Sequence, residues 1–421
     1  MASTRREFLK ASLGAAGLVS FGPAGPWLRR SAAAATGRSP ARNTVLVVVQ
    51  LSGGNDGLNT VIPYNDATYA KSRPTLRMTP DEVHKIDSEL GFHPRMQAFL
   101  RLYRDGLLSI VQGVGYPNNN RDHDGAMRDW HTARPGEAAC QTGWLGRTID
   151  ALFRPDDGNV PGVFVGPIAQ PFGLHAERAI VPTVRSLHQW RLQATSGPAA
   201  GAHRARLVEA AELDRPSDPS PLLKSARQTT LAAYAGSEQI EAVVRGGPSL
   251  QAAGYPDSLL GRDLHTVAQL IRADVGIRVY FTELGGGGIG GLDNHANQRG
   301  NHGAVLHQLA EAVAAFSDDL VREKLADRVL LMTFSEFGRT VAENGRRGTG
   351  HGAAAPMFLA GGKVQSGLIG AHPSLADQDQ GALKFHTDFR RVYATVLDRW
   401  LGLDSQAILG DKYEPVDVLR V

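Results

Sequence analysis

Acidic, amide and imidazole side chains recur in four loops that follow predicted β-strands, and such side chains can hold a divalent metal ion. The loops span residues 53–59, 116–124, 292–298 and 333–352. Carboxylates supply negative charge, and neutral imidazoles supply nitrogen ligands that suit zinc, iron or manganese. In any single loop, Asp and Asn more often cap a helix or stabilise a turn. Four such loops at successive strand ends favour a shared metal site.

Two other motifs with known chemistry do not fit the sequence. Gly286, Gly288 and Gly291 have the spacing of a dinucleotide-binding loop, but polar residues 293–295 stand where the phosphate-binding helix should begin. No second strand ending in an acidic residue follows about 20 residues later. The Gly-x-Ser-x-Gly turn of α/β-hydrolases is absent from the sequence. We therefore reject a nucleotide site, and the missing motif argues against a serine esterase of that type.

Five short apolar runs predict the strands that position these loops. The first, 43–51, is a nearly unbroken β-branched segment, typical of a strand buried on both faces of a parallel sheet. The other runs are 107–114, 277–282, 329–334 and 357–360. The helical patterns between them span 93–104, 263–273, 305–324 and 388–401. This alternation predicts a doubly wound α/β domain with a mostly parallel sheet.

The segment 199–261 differs from the rest of the chain. It is rich in Ala, Gln, Glu and Arg, lacks strand-like runs, and is interrupted by the prolines at 216, 219 and 221. Because Leu, Ala and Tyr recur in it at helical spacing, the segment is predicted to be a helical insertion and not a disordered linker. We expect a single α/β domain over residues 43–421 that contains this insertion.

The N-terminus carries an adjacent arginine pair, Arg5 and Arg6, then a weakly apolar run over 11–25 and small residues at 32–35. This order resembles a twin-arginine (Tat) signal peptide, here residues 1–36. The apolar run is too short and too rich in Gly and Ala to span a membrane, which takes about 20 residues. The alternative is a basic amphipathic N-terminus of a cytosolic protein. We expect export by the twin-arginine translocase, to the periplasm or beyond, of a mature chain without a transmembrane span.

Removal of the predicted signal peptide changes the net charge of the mature chain. Residues 1–36 hold five of the 45 Lys and Arg and one of the 42 Asp and Glu, so the rest of the chain carries 40 minus 41, or −1. No basic stripe with interleaved aromatic residues remains, which argues against nucleic acid as a partner. Cys140 is the only cysteine. An intrachain disulfide and a cysteine-based metal site are therefore excluded.

Several longer motifs point to a known family. They are Leu51–Asn59, Trp130–Ala133, Thr142–Arg147, Asp293–Gln298, Ser335–Thr340, Gly352–Met357 and Thr387–Tyr393. These motifs resemble the family labelled domain of unknown function 1501, over essentially the whole predicted mature chain. That family is in turn similar to the alkaline phosphatase and sulfatase superfamily. The resemblance implies an alkaline-phosphatase-like α/β fold with one or two divalent metal ions.

The superfamily resemblance also implies roles for particular residues. Asp122 occupies the position of the nucleophile at a helix N-terminus. Arg339 could hold an anionic substrate bidentately, or be a structural partner of Glu343 or of a helix carbonyl group. The implied metal ligands are Asp56, His123, Asp293, His295, Glu336 and His351.

The sequence departs from the superfamily pattern at three points. Asp122 stands where a serine, threonine or modified cysteine would attack, and residues 116–131 contain no serine or threonine. Phe337 stands where a histidine ligand is common, and one residue separates Asp293 from His295, where a wider gap is usual. Metal binding tolerates such changes better than nucleophilic catalysis does. Asp122 is therefore expected to be a metal ligand, a carboxylate nucleophile or a helix cap.

Taken together, these features predict an exported, metal-dependent hydrolase of phosphate or sulfate esters that acts on a small anionic substrate. The divalent ion would be zinc, manganese, iron or calcium, and it would lower the pKa of a bound water toward about 7. The alternative is an exported metal-binding scaffold or assembly factor without turnover. The absence of a hydroxyl group at Asp122 favours that alternative.

Overall fold

The computed structural model describes residues 44–154, 160–167, 169–185, 187, 242–285 and 291–420. The predicted signal peptide, 1–36, and most of the predicted helical insertion lie outside these residues. Within the described ranges, no helix is both long enough and apolar enough to cross a membrane.

Fourteen strands and eight α-helices are defined within the described residues. The strands are β1 Val45–Leu51, β2 Val61–Ile62, β3 His84–Lys85, β4 Gly91–Phe92, β5 Leu108–Gly115, β6 Gly162–Val165, β7 Thr183–Val184, β8 Val279–Leu284, β9 Val329–Phe334, β10 Ala355–Ala360, β11 Gly367–Ile369, β12 Gln378–Asp379, β13 Ala382–Leu383 and β14 Thr387–Asp388. The helices are α1 Ala67–Ser72, α2 Gln97–Arg104, α3 His123–Thr132, α4 Trp144–Leu152, α5 Leu259–Arg272, α6 Gln298–Arg322, α7 Phe389–Thr395 and α8 Ser405–Leu409.

The central sheet has nine strands, and eight of them run in the order β11-β5-β10-β9-β1-β8-β6-β7, while β14 pairs with β5. Every pairing in this sheet is parallel except those of β10, which runs antiparallel to β5 and β9. The predicted strands correspond to β1, β5, β8, β9 and β10, with ends displaced by at most two residues. The mostly parallel sheet confirms the predicted α/β fold class.

Helices cover both faces of this sheet, because its strands are apolar on both sides. Along β1, Val45, Val47 and Val49 join one core cluster, to which α2, α5 and α6 contribute. Leu46 and Val48 join a second core cluster, built with residues of α3, α4 and α7. The sheet is therefore doubly wound, and the loops at the carboxyl ends of its parallel strands are left to form a site.

Helix α6 begins at Gln298, seven residues before the predicted helix start at 305. Its first turns bury Gln298 and His302, which are polar. A pattern based on apolar spacing therefore misses these turns. This early start places the N-terminus of α6 directly after the motif that begins at Asp293.

A buried carboxyl group between α5 and β8 gives the fold a specific pH dependence. Asp263 is 6% exposed and accepts a hydrogen bond from Thr282 Oγ1 at 3.2 Å. Burial raises the pKa of Asp263 from 3.8 to about 7. The folded state thus keeps a proton that the unfolded chain releases near pH 4, and the free energy of unfolding falls as the pH rises between these two values.

Asp263→Asn is expected to raise the free energy of unfolding at pH 8 by up to about 4 kcal/mol, since one pKa unit corresponds to about 1.4 kcal/mol. The gain should shrink as the pH is lowered toward 4. Urea unfolding at several pH values measures it, with Asp81→Asn at an exposed position as the matched control. A gain that is the same at every pH would show that folding does not raise the pKa of Asp263.

Candidate metal centre

Four side chains from the three segments that follow β5, β8 and β9 meet beyond the carboxyl ends of these strands. Asp293 and His295 follow β8, His351 lies between β9 and β10, and His123 is the first residue of α3. One ligand atom from each of them lies within 4.8 Å of all the others. We call His123, Asp293, His295 and His351 the His–Asp cluster. All four were predicted as metal ligands from the sequence.

The distances inside the His–Asp cluster centre on Asp293 Oδ1. The Nε2 atoms of His295, His123 and His351 lie 2.9, 3.4 and 3.5 Å from it, and the Nε2 atoms of His295 and His351 are 3.0 Å apart. Ligand atoms on a tetrahedral ion with bonds of 2.0–2.1 Å lie about 3.3 Å apart. The four distances, 2.9–3.5 Å, lie close to that separation, as expected of side chains that can share one small divalent ion.

Hydrogen bonds behind the cluster fix the direction of two imidazole rings. His351 Nδ1 lies 2.6 Å from the carbonyl oxygen of Arg121, which can only accept, so Nδ1 carries the proton. His123 Nδ1 lies 2.9 Å from Glu336 Oε1 and donates to that carboxylate. Each ring then turns its Nε2 atom toward Asp293. Nε2 of His123 is buried and has no hydrogen-bond partner among the described residues, as expected of a metal ligand.

The cluster is partly open to solvent. The side-chain exposure rises from 23% for His351 to 45% for Asp293. Burial raises the pKa of Asp293, but the hydrogen bond and charge of Arg339 outweigh it and hold the pKa below its ordinary value. Burial lowers the pKa of His295. At neutral pH the carboxyl group is thus charged and this imidazole neutral, which are the forms that bind metal.

Glu336 lies behind the cluster instead of within it. Its Oε1 accepts from Gly53 N at 2.8 Å as well as from His123, and its Oε2 lies 3.0 Å from Ser335 Oγ. The hydrogen bond with Glu336 is the largest influence on the pKa of His123 and raises it. Glu336, predicted as a ligand, is thus placed to orient a ligand.

Arg339 is buried, and its guanidinium group forms hydrogen bonds within the protein. Its guanidinium group donates to Asp293 Oδ1 at 2.6 Å and to the carbonyl groups of Gly53, Gly54, Leu292 and Thr349. Of the two roles predicted for Arg339, this arrangement fits the structural one, although Glu343 is not its partner. Glu343 instead accepts from the backbone of Thr75 and Leu76.

Arg339 can bond to three loops because their backbones lie close together near Gly53. A Cβ atom on Gly53 would lie 2.5 Å from the backbone nitrogen of Asp293, and the φ angle of Gly53 is +108°. Only glycine combines that conformation with that contact. The glycines at 53 and 54 therefore bring the loop after β1 against the loop that carries Asp293.

Asp56 lies in a neighbouring buried network and not in the His–Asp cluster. Its Oδ2 accepts from Arg73 and from Gln298. Burial raises the pKa of Asp56, but the charge and hydrogen bond of Arg73 bring it below its ordinary value. Arg73 is fully buried and also donates to Asn59 and to the carbonyl groups of residues 340 and 341. The sequence analysis did not anticipate Arg73.

Asp122 caps helix α3. Its Oδ2 accepts from Gly125 N at 3.1 Å, and its side chain is exposed. This is the helix-cap role that the sequence left open. The nearby hydroxyl group of Tyr116 donates to Asp129 at 2.9 Å, and burial raises the pKa of Tyr116 further above its ordinary value. The loop before α3 therefore presents no activated hydroxyl group to the cluster.

Comparisons with known proteins place this geometry in context. No curated protein matches the sequence. The C-terminal periplasmic domain of EcEptC from Escherichia coli, in complex with Zn, is 10% identical, with 76% of this chain and 73% of that chain covered and a TM-score of 0.35. The lipoteichoic acid synthase LtaP from Listeria monocytogenes is 9% identical, with 78% and 68% covered and a TM-score of 0.35.

A protein in the alkaline phosphatase superfamily from Vibrio parahaemolyticus is 10% identical, with 82% of this chain and 70% of that chain covered and a TM-score of 0.34. A family model gives a firmer result, because it matches residues 43–411. Its description is protein of unknown function (DUF1501). The chain therefore belongs to the DUF1501 family, as its motifs predict.

Proposed function

We propose that the His–Asp cluster binds one divalent metal ion and that the site hydrolyses a phosphate or sulfate ester. The observation that supports this most strongly is the convergence of four ligand atoms within 4.8 Å. Three imidazole nitrogens with one carboxylate oxygen suit zinc, iron or manganese. Calcium, the remaining candidate from the sequence, prefers six to eight oxygen ligands and suits this donor set less well.

Each residue around the cluster has a definite task in this proposal. His123, Asp293, His295 and His351 would hold the ion, while Glu336 and the Arg121 carbonyl group orient two of the rings. A bound divalent ion would polarise an ester oxygen and lower the pKa of a water molecule toward about 7. The attacking oxygen is expected to come from water, because the loop before α3 offers no free hydroxyl group.

The class of substrate rests on the resemblance to the alkaline phosphatase and sulfatase superfamily. The buried Arg339 is committed to Asp293 and to carbonyl groups, so it is not proposed to bind the substrate. The test is a panel of aryl phosphates and aryl sulfates with purified protein. We expect turnover of one ester class that a chelator abolishes and that added zinc or manganese restores.

A metal-binding scaffold without turnover is the second candidate. It is favoured by Asp122, which caps a helix where the superfamily resemblance implies a nucleophile. The same panel separates the two candidates. Protein that carries one metal ion per chain and turns over neither ester class would be a scaffold.

We further propose that the protein is exported by the twin-arginine pathway and works in the periplasm or outside the cell. The support is the pair Arg5 and Arg6 at the start of the chain. Changing both arginines to lysine is expected to retain the protein in the cytoplasm, which cell fractionation and immunoblotting would measure. Export of the double-lysine variant at the normal rate would contradict the proposal.

A further inference from the structure

The ring of Phe337 lies against the His–Asp cluster, at the position where a histidine ligand is common in the superfamily that the sequence resembles. Its centroid is 4.6 Å from that of the His351 ring and 4.9 Å from that of the His123 ring. The two imidazole centroids are themselves 4.4 Å apart. We call these three packed rings the aromatic triad. The function proposed above gives Phe337 no task.

The contacts within the aromatic triad limit how the two imidazole rings can turn. Phe337 is stacked on His351 at an interplanar angle of 28° and is tilted by 45° against His123. On their far sides, the Nδ1 atoms of these histidines bond to Arg121 O and to Glu336. A hydrogen bond fixes one atom of a ring but lets the ring tilt about it, whereas packing against a flat face opposes that tilt. The two kinds of contact together fix the direction of each Nε2 atom.

Phe337 is held in place by its own surroundings. Its side chain is 1% exposed. The loop after β1 passes so close at Gly54 that a Cβ atom there would overlap the ring. The guanidinium group of Arg339 lies 5.9 Å from the ring centroid and is itself bound to Asp293. Because the ring has neighbours on several sides, it cannot follow an imidazole that turns.

The electron distribution of Phe337 also suits a neighbouring metal ion. The face of an aromatic ring carries negative charge density and attracts positive charge. An imidazole that binds a divalent ion loses electron density, so the stacked ring should stabilise His351 more with the ion bound than without it. Phenylalanine offers no ligand atom of its own. Any effect of Phe337 on the ion must therefore act through the two histidines.

We propose that Phe337 is a positioning residue of the metal site. Its ring holds His123 and His351 in the orientation in which both Nε2 atoms face Asp293, and it thereby raises the affinity for a divalent ion and fixes the arrangement of the ligands. This role rests on the proposed metal site, but it does not depend on ester hydrolysis.

The test compares Phe337→Leu and Phe337→Met with the wild type. Both changes keep a buried apolar side chain but remove the flat ring, and the flexible methionine is the better able to fill the gap. We expect the affinity for zinc, measured on the folded metal-free protein by competition with a chromophoric chelator, to fall about 10-fold. The visible spectrum of the cobalt(II)-loaded protein reports the arrangement of ligands and should change as well.

Phe334→Leu is the matched control. Phe334 is as buried as Phe337, but it stacks on Trp130 instead of on the cluster, with ring centroids 5.6 Å apart. This variant should lose stability as Phe337→Leu does, yet keep the wild-type zinc affinity and cobalt spectrum. A folded Phe337 variant with the wild-type affinity or the wild-type cobalt spectrum would overturn the role of Phe337 and leave the metal site standing.

Equal losses of zinc affinity in Phe334→Leu and Phe337→Leu would overturn the role in the same way, because they would show a general loss of packing. Wild type that binds neither zinc nor cobalt would refute the metal site, and the role of Phe337 with it.

Discussion

Replacing His351 with alanine is expected to lower the affinity of the protein for zinc by more than about 100-fold. The reason is that His351 Nε2 is one of only four ligand atoms in the His–Asp cluster. Loss of a residue that merely orients a ligand already weakens metal binding by about 10–100-fold. Competition with a chromophoric chelator measures the affinity. The zinc affinity should also fall as the pH drops, because protons compete with the ion for the imidazole nitrogens.

Two control variants sharpen this experiment. His307→Ala removes a half-exposed histidine on α6, outside the cluster, and should leave zinc affinity unchanged. Asp122→Ala should cost about 1 kcal/mol of stability through loss of the helix cap and should also keep the metal. If Asp122→Ala lost zinc as completely as His351→Ala does, Asp122 would be a ligand and the four-residue cluster would be incomplete.

Asp56→Ala is expected to lower the free energy of unfolding by about 3–5 kcal/mol, even with metal removed by a chelator. It leaves the guanidinium group of Arg73 buried without its carboxylate, and breaking a buried ion pair from one side costs about that much. Arg73 is 0% exposed, so water cannot replace the lost partner. Urea denaturation of the metal-free protein measures the effect.

The matched control is Asp318→Ala, which breaks an exposed ion pair with Arg101 and should cost less than about 1 kcal/mol. The metal content and the stability of Asp56→Ala together also test the role of metal ligand that was predicted for Asp56 from the sequence. Loss of metal with no change in the stability of the metal-free protein would make Asp56 a ligand. Loss of stability with metal retained would make it part of the framework.

The strands could be predicted from the sequence because each is a short apolar run. Residues of β1 alternate between two cores, yet every residue is apolar up to Val49, and no other element fits such a run. The start of α6 could not be predicted in this way. Gln298 and His302 are buried at this start and form hydrogen bonds with Asp56 and Asn55. Because both residues are polar, an apolar pattern does not reveal that they belong to a buried helix.

The site could be predicted in part, because parallel strands bring their following loops to one edge. Asp293, His295 and His351, which follow such strands, lie together in the His–Asp cluster. A position after a strand does not show which carboxylate faces the cluster and which lies behind it, because Asp and Glu serve equally well as ligands and as hydrogen-bond acceptors. The roles of Asp56 and Glu336 are decided by Arg73 and His123, the partners that the folded loops bring to them.

The most direct test of the account is anomalous diffraction from crystals of the protein purified after native export. We predict one metal ion per chain, bonded to the Nε2 atoms of His123, His295 and His351 and to Asp293 Oδ1 at about 2.0–2.2 Å. A metal ion bound instead at Asp56, or no anomalous peak at the His–Asp cluster in metal-loaded crystals, would contradict the account.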